Sequence, residues 1–356
     1  MNKDVFNFFK KFADSPSPSG FEQPAQRLWR EYVGKFADSI ESDVMGNTWG
    51  VLNGAAKGPK VMLAGHADEV GLMVKYIDDD GFIFFAPIGG VDSHLMPGKR
   101  VLIHGAGGPV AGVIGRKPIH LLEVEERSKV SKVKDMAIDI GAENRAAAEE
   151  VISIGDPVTF YGEVEPLLGD LVMGRGFADE VGSLIVAEVL RLSAKKKKSL
   201  NCSVYGVSTV QEELGLRGAH TSTFGIDPQI GICVEVTFAT DHPGTDKRST
   251  GDVKVGKGPV ISRGANINHR LFDLFCEVAK KGKIPHQIDA APRATGTDAN
   301  VIQLTRAGVA TSLISIPLRY MHTSGEVLSL SDVENAAKLI SGVIAKIDGD
   351  ISWIPE

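Results

Sequence analysis

Residues 207–220 read VSTVQEELGLRGAH. A run of small and β-branched residues stops abruptly at Gln211-Glu212-Glu213, and glycines follow at Gly215 and Gly218. Residues of that kind suit a buried strand, and glycine after them marks the turn into the next element. The spacing predicts a strand over 202–210 and a helix over 216–224, with two neighbouring carboxylates at the strand end. Open α/β sheets place their ligands at such ends.

The same texture recurs along the chain. The N-terminal MNKDVFNFFKKFA carries apolar residues at helical spacing, SPSPSGFEQP reads as a loop, and residues 23–36 form a second helix with Leu28, Trp29, Tyr32 and Phe36. Residues 39–54 alternate around Met45-Gly46-Asn47, a hairpin signal. In KVMLAGHADEVGLMV, residues 60–74, an apolar run from Val61 to Ala64 ends in Gly65-His66-Ala67-Asp68. From about 70 to 165 short alternating segments punctuated by glycine predict a small all-β unit, with one helical pattern in GAENRAAAEEVISIG. Helix and strand then alternate: helix 180–194, strand 229–236, helix 268–281, strand 309–316, helix 332–346. The prediction is an α/β fold, a mixed sheet flanked by helices, with a small all-β domain inserted. Residues 1–69 and 166–356 would form the discontinuous catalytic domain and 70–165 a barrel-like insertion, since neither flank suffices alone.

At 356 residues the chain is too long for one simple core, and 43% hydrophobic with 24% charged residues is ordinary for a soluble protein. A net charge of −6 offers nothing to nucleic acid or an anionic membrane, so neither is expected as a partner. The basic run Lys195–Lys198 follows a helical pattern and reads as a solvated helix end. Three scattered cysteines, Cys202, Cys233 and Cys276, argue against a disulfide framework and for a reducing compartment. The N-terminus lacks a signal peptide's continuous apolar core, and no stretch is long and apolar enough to span a membrane. A cytoplasmic location is expected.

Polar residues gather where strands end. His66 and Asp68 are two apart and face the same way on an extended backbone. Asp179 opens a helix, Glu212 and Glu213 end one strand, Glu235 ends the next, and His322 lies just past TSLISIPLRYMHTSGE. Each has a plain alternative: His66 as a hydrogen-bonded core histidine, Asp179 as a helix N-cap, the paired glutamates as surface acids, Glu235 as an ion-paired strand end. Their coincidence at strand termini instead fits the ligand set of a hydrolytic metal centre.

GHADEVG, VQEELGLRGA, TGTDANVI and LRYMHTSGEVLSLSDVENAAKLI together resemble the di-metal aminopeptidases. That family includes the glutamyl, deblocking and tetrahedral (TET) enzymes, and its sequences are often labelled endoglucanase or cellulase M. The likeness spans nearly the whole chain and implies a zinc-peptidase-like fold that removes N-terminal residues from peptides. It implies two divalent ions, zinc or cobalt or else manganese. His66, Asp179 and Glu235 would hold one and Asp179, Glu213 and His322 the other, with Asp179 bridging. Asp68 would hydrogen-bond the far nitrogen of His66, and Glu212 would be the general base. Adjacent glutamates on an extended chain point apart, so one can grip a metal while the other moves a proton. Two divalent ions, three carboxylates and a bridging hydroxide sum to zero charge.

Two departures stand out. The family shows two adjacent acids and an arginine where this chain has Ala178-Asp179-Glu180. Counting back from Gly182 puts Ala178 at the bridging position, and counting forward from Gly174-Arg175-Gly176 puts Asp179 there; the second is preferred. Glu235 stands where aspartate is commoner, which leaves a carboxypeptidase-like amide hydrolase or an impaired member as alternatives. A glycoside hydrolase is the remote alternative, because its two carboxyls must face each other across the bond at ~5–5.5 or ~6.5–9.5 Å. The resemblance also implies a homo-oligomer, with dimers assembling to a dodecamer. Phe82, Ile83, Phe84 and Phe85 of the insertion would either mediate that contact or pack a small β core.

Overall fold

In the computed structural model, which describes residues 1–55 and 58–355, the chain opens with two amphipathic helices, α1 (Lys3–Ala13) and α2 (Gln23–Val33). Asn2 caps the first by accepting from the Val5 N–H at 3.0 Å, and Phe8, Phe9 and Phe12 turn inward. The hairpin around Met45-Gly46-Asn47 forms as β1 (Ser39–Ser42) and β2 (Thr48–Leu52), and leads to β3 (Lys60–His66).

The chain then leaves the sheet for a six-stranded barrel. Its strands are β4 (Gly71–Ile77), β5 (Ile83–Ile88), β6 (Arg100–Gly105), β7 (Gly108–Gly115), β8 (Ala137–Asp139) and β9 (Pro157–Phe160), closed in the order β4-β5-β8-β7-β6-β9. The helical pattern within it shrinks to the short α3 (Arg145–Glu149). Leu72, Val74, Ile83, Phe85, Ile103, Ile138 and Val158 fill a core of their own. Phe82–Phe85 divides by strand parity: Ile83 and Phe85 point into that core, while Phe82 is exposed.

Beyond the barrel come β10 (Glu165–Pro166), β11 (Leu171–Gly174), the long helix α4 (Phe177–Ala194), β12 (Ser203–Thr209), α5 (Arg217–Ile226) and β13 (Ile230–Phe238). The remainder is α6 (Lys247–Thr250), β14 (Val260–Gly264), α7 (His269–Gly282), β15 (Gln287–Ala291), α8 (Ala299–Leu304), β16 (Ala310–Leu318), β17 (Glu326–Ser329) and α9 (Leu330–Ile344). The main sheet runs β1-β2-β12-β3-β13-β16-β14-β15, with β12, β3, β13 and β16 mutually parallel at its centre and antiparallel pairings at β1/β2, β2/β12 and β14/β16. It is a mixed sheet, as expected. The sequence reading did not separate out β14, β15 or the small sheet β10-β11-β17.

The central strands are covered on both faces, which is why β3 reads as an unbroken apolar run. Met62 meets Thr223 of α5, whereas Gly65, of opposite parity, faces α4. The approach of α4 is set by glycine. A Cβ at Gly65 would lie 2.3 Å from the Gly182 carbonyl carbon, and one at Gly182 would lie 2.3 Å from the Val234 carbonyl oxygen. The neighbouring atoms are backbone and cannot rotate away. Gly182→Ala is therefore expected to cost ~1–3 kcal/mol, the range for overpacking a core, read as a lowered urea midpoint. Gly225→Ala in α5, whose Cβ meets nothing within 4 Å, is the control and should be neutral or stabilising. Equal midpoints for the two variants would refute the close-packing account.

Among the described residues, no helix is long and apolar enough to cross a membrane.

Candidate metal centre

Four neighbouring strands bring the candidate residues together. Thr209 of β12 pairs with His66 of β3, and Cys233 of β13 pairs with Ala64, so Glu235 and His66, each two residues on, come level. Beyond β12 lie Glu212 and Glu213; beyond β16 lies His322. Asp179 enters from the first turn of α4, where Gly176 is the N-cap. Asp179 is thus inside the helix and does not serve as its cap.

Two carboxylate–imidazole groups result. His322 Nε2 lies 3.0 Å from Glu213 Oε1 and 3.9 Å from Asp179 Oδ1, and these three residues offer ligand atoms all within 4.8 Å of one another. His66 Nε2 lies 3.5 Å from Glu235 Oε2. Both histidines are turned by a carbonyl oxygen: His66 Nδ1 is 3.0 Å from the Asp68 carbonyl and His322 Nδ1 is 3.1 Å from that of Gly90. A carbonyl can only accept, so Nδ1 of each ring carries a proton and Nε2 is the atom turned toward the carboxylates, free to bind a metal when it is unprotonated. Each Nε2–carboxylate contact is one that a proton or a metal ion can occupy. Asp179 Oδ1 and Glu235 Oε1 are moreover buried with no hydrogen-bond partner. This donor set, imidazole nitrogen with carboxylate oxygen, fits zinc, cobalt or manganese.

Asp68 departs from its expected contact. Its carbonyl, and not its carboxylate, takes the 3.0 Å bond to His66, with Oδ1 standing at 3.6 Å. The carboxylate is engaged elsewhere, accepting the N–H groups of Glu212 at 2.8 Å and Glu213 at 3.1 Å and the Ser19 hydroxyl at 2.7 Å. It fixes the turn that carries both glutamates. That turn also corrects the expected reason for their divergence. The strand ends at Thr209, and Gln211 and Leu216 adopt positive φ of 54° and 60°, so a tight turn and not an extended strand splays the two side chains.

Glu326 is a site residue the sequence reading missed. Its carboxylate accepts the His322 N–H at 2.6 Å and the Ala178 N–H at 2.9 Å, which holds His322 at a φ of 60° and ties it to the start of α4. Glu326 follows His322 in Thr323-Ser324-Gly325-Glu326, a stretch that carries the resemblance without giving its glutamate a role. Asp298 of TGTDANVI lies at the N-terminus of α8. Its side chain makes no capping bond; Oδ2 accepts from Thr209 Oγ1 at 2.6 Å and Oδ1 is buried without a partner.

The acids crowd one another. Burial, then Glu213 and Glu326, hold the Asp179 carboxyl well above the usual range. Burial and the charges of Glu235, Asp298 and Glu213 push Glu212 up to about 10, with His66 pulling the other way. Burial opposes a charge on His66, yet Glu235 and Glu212 raise it well above its ordinary value. Such mutual strain among buried acids marks functional sites, and cations would relieve it. The residues surround a cavity of about 410 Å³ whose wall includes Ala178, Glu212, Glu213, Glu235 and His322.

The family model for M42 glutamyl aminopeptidases matches residues 46–339. The chain belongs to that family. It is a peptide hydrolase of the aminopeptidase kind. Among M42 relatives, the lysyl aminopeptidase of Pyrococcus furiosus is 37% identical over 345 residues, covering 96% of this chain and 97% of that one. The TET aminopeptidase of the marine sediment archaeon Thaumarchaeota archaeon SCGC AB-539-E09 superposes with a TM-score of 0.93 at 34% identity, covering 98% of each chain. The TET1 peptidase of Pyrococcus horikoshii, which assembles into a tetrahedron or a large octahedral shell, gives 0.84 at 31% identity over 96% of this chain and 99% of that one.

Proposed function

We propose that this M42 chain removes N-terminal residues from peptides at a centre that holds two divalent ions, zinc, cobalt or manganese. The observation that carries the reading is the pair of imidazole Nε2 atoms facing carboxylate oxygens, with Asp179 Oδ1 and Glu235 Oε1 buried and unpartnered beside them. Asp179, Glu213 and His322 would hold one ion; His66 and Glu235 would hold the other, with Asp179 shared between them. When bound, such ions acidify a water and polarise the scissile carbonyl.

The chain's own groups do the rest. Glu212 is the general base: it takes a proton from the attacking water and delivers it to the leaving amine. Asp68 holds the backbone of both glutamates, so Glu212 stays aimed at the cavity while Glu213 faces His322. Glu326 and the Gly90 carbonyl fix the backbone and ring of His322. A glycosidase has no use for two oriented imidazoles, and that reading is set aside.

The reading includes a catalytic body of residues 1–69 and 166–356 and an inserted unit of 70–165, supported by their separate cores. It includes a homo-oligomer. Between β7 and β8 the chain makes an excursion that exposes Ile119, Leu121 and Val124, apolar surface of the sort subunits cover. A cytoplasmic location agrees with the three free cysteines.

The test is metal content by mass spectrometry together with hydrolysis of aminoacyl p-nitroanilides before and after EDTA. About two divalent ions per chain, with activity lost to the chelator and restored by zinc or cobalt, is the expected result. Turnover that survives exhaustive chelation would overturn it.

A further inference from the structure

From the cavity wall opposite in charge to a cation, we infer that this enzyme prefers peptides whose N-terminal residue is basic, lysine or arginine, and that Asp289 recognises that side chain. The inference rests on the aminopeptidase reading and adds its substrate class. Among the described residues, no lysine or arginine lines the cavity. The wall beyond the metal-binding candidates and Glu212 is neutral or apolar, with Phe238, Leu313 and Met321, apart from one charged residue, Asp289.

Asp289 is placed for the task by strand geometry. It lies on β15, paired with Ser262 of β14, and Ala291, two residues on and of the same parity, lines the cavity beside it. Its carboxylate is not consumed by the protein. Among the described residues its one hydrogen bond is from the adjacent Ala290 N–H to Oδ1 at 2.8 Å, and it has no ion-pair partner. The nearby cations are committed or turned away: Arg263 stacks over Phe272, Lys247 and Lys254 pair with Asp252, and Arg293 is exposed and does not line the cavity. A lysine or arginine side chain has the form such a pocket accepts, an aliphatic stem for the apolar wall and a cationic head for the carboxylate. A glutamyl side chain would meet like charge with no cation to receive it.

The experiment measures kcat/KM on lysyl, arginyl, leucyl and glutamyl p-nitroanilides for the wild type and for Asp289→Asn and Asp289→Lys. The wild type should favour lysyl and arginyl over glutamyl substrate. In Asp289→Asn the lysyl-to-leucyl ratio should fall roughly 10- to 100-fold, the range of a charge-assisted contact, mainly through KM. Asp289→Lys should move the glutamyl-to-lysyl ratio the other way. A wild type that prefers glutamyl substrate would overturn the assignment. So would an Asn variant that lowers all four substrates in proportion, since the carboxylate would then be holding the shared α-ammonium group. A wild type that cleaves none of the four would overturn the aminopeptidase reading beneath it.

Discussion

Glu212→Gln should leave a folded protein that retains its ions and binds peptide, with kcat lowered roughly 10²- to 10⁴-fold, the contribution of a positioned general base. Glutamine keeps the shape and cannot take a proton. The turn itself should survive, because it is held through the backbone N–H groups of residues 212 and 213 on Asp68 and not through the Glu212 side chain. Metal content measured beside the rate makes the result decisive. A loss of ions together with activity would make Glu212 a ligand, and an undiminished kcat would remove it from the mechanism.

The second large effect concerns Asp179 and its neighbour. If Asp179 is shared by both ions, Asp179→Ala should abolish detectable turnover and bring the bound ions from about two per chain to fewer than one. Its Oδ1 is buried, unpartnered and 3.9 Å from His322 Nε2, so the protein gives it nothing else to do. The alternative puts the bridging position at residue 178, whose alanine lines the cavity. Ala178→Asp separates the two. With Asp179 as the bridge, the added carboxylate should leave the ion count where it was. A rise from one ion to two would mean that position 178 is the natural place for a bridge and that the wild-type chain holds one ion firmly.

Much of this was legible because period and punctuation agree with the tertiary answer. The stretch 207–220 announced a buried strand, a polar end and a helix, and β12 and α5 fall within two residues of those bounds. His66, Glu213, Glu235 and His322 could be picked out because parallel strands bring their ends together whatever their separation in sequence. What stayed hidden depends on side chains finding partners across folds of the chain. Spacing put the Asp68 carboxylate beside His66, where Oδ1 stands 3.6 Å from Nδ1, but could not show that the Asp68 carbonyl comes closer, because spacing gives direction and not distance. Glu326 sits inside the LRYMHTSGEVLSLSDVENAAKLI motif, but nothing in its spacing gives it a role; its value lies in two N–H groups that converge on it only after β17 pairs with β11. Helix α3 fell short of its pattern, and of its three alanines only Ala148 is buried against the barrel core. The place of Asp289 on β15 could not be read at all, since β15 itself was not separated from its surroundings.

The bond from the His322 ring to the Gly90 carbonyl joins two bodies that otherwise pack around separate cores. Gly89, at a φ of 71°, sits where any Cβ would lie 2.9 Å from Val70 and 3.2 Å from Glu213 Oε2. The insertion is therefore not a detachable ornament that evolution can exchange at will. A chimera that grafts a relative's barrel onto this scaffold inherits a hidden obligation, to return one carbonyl to the same spot within a few tenths of an ångström. At this seam, drift is inherited jointly with the chemistry.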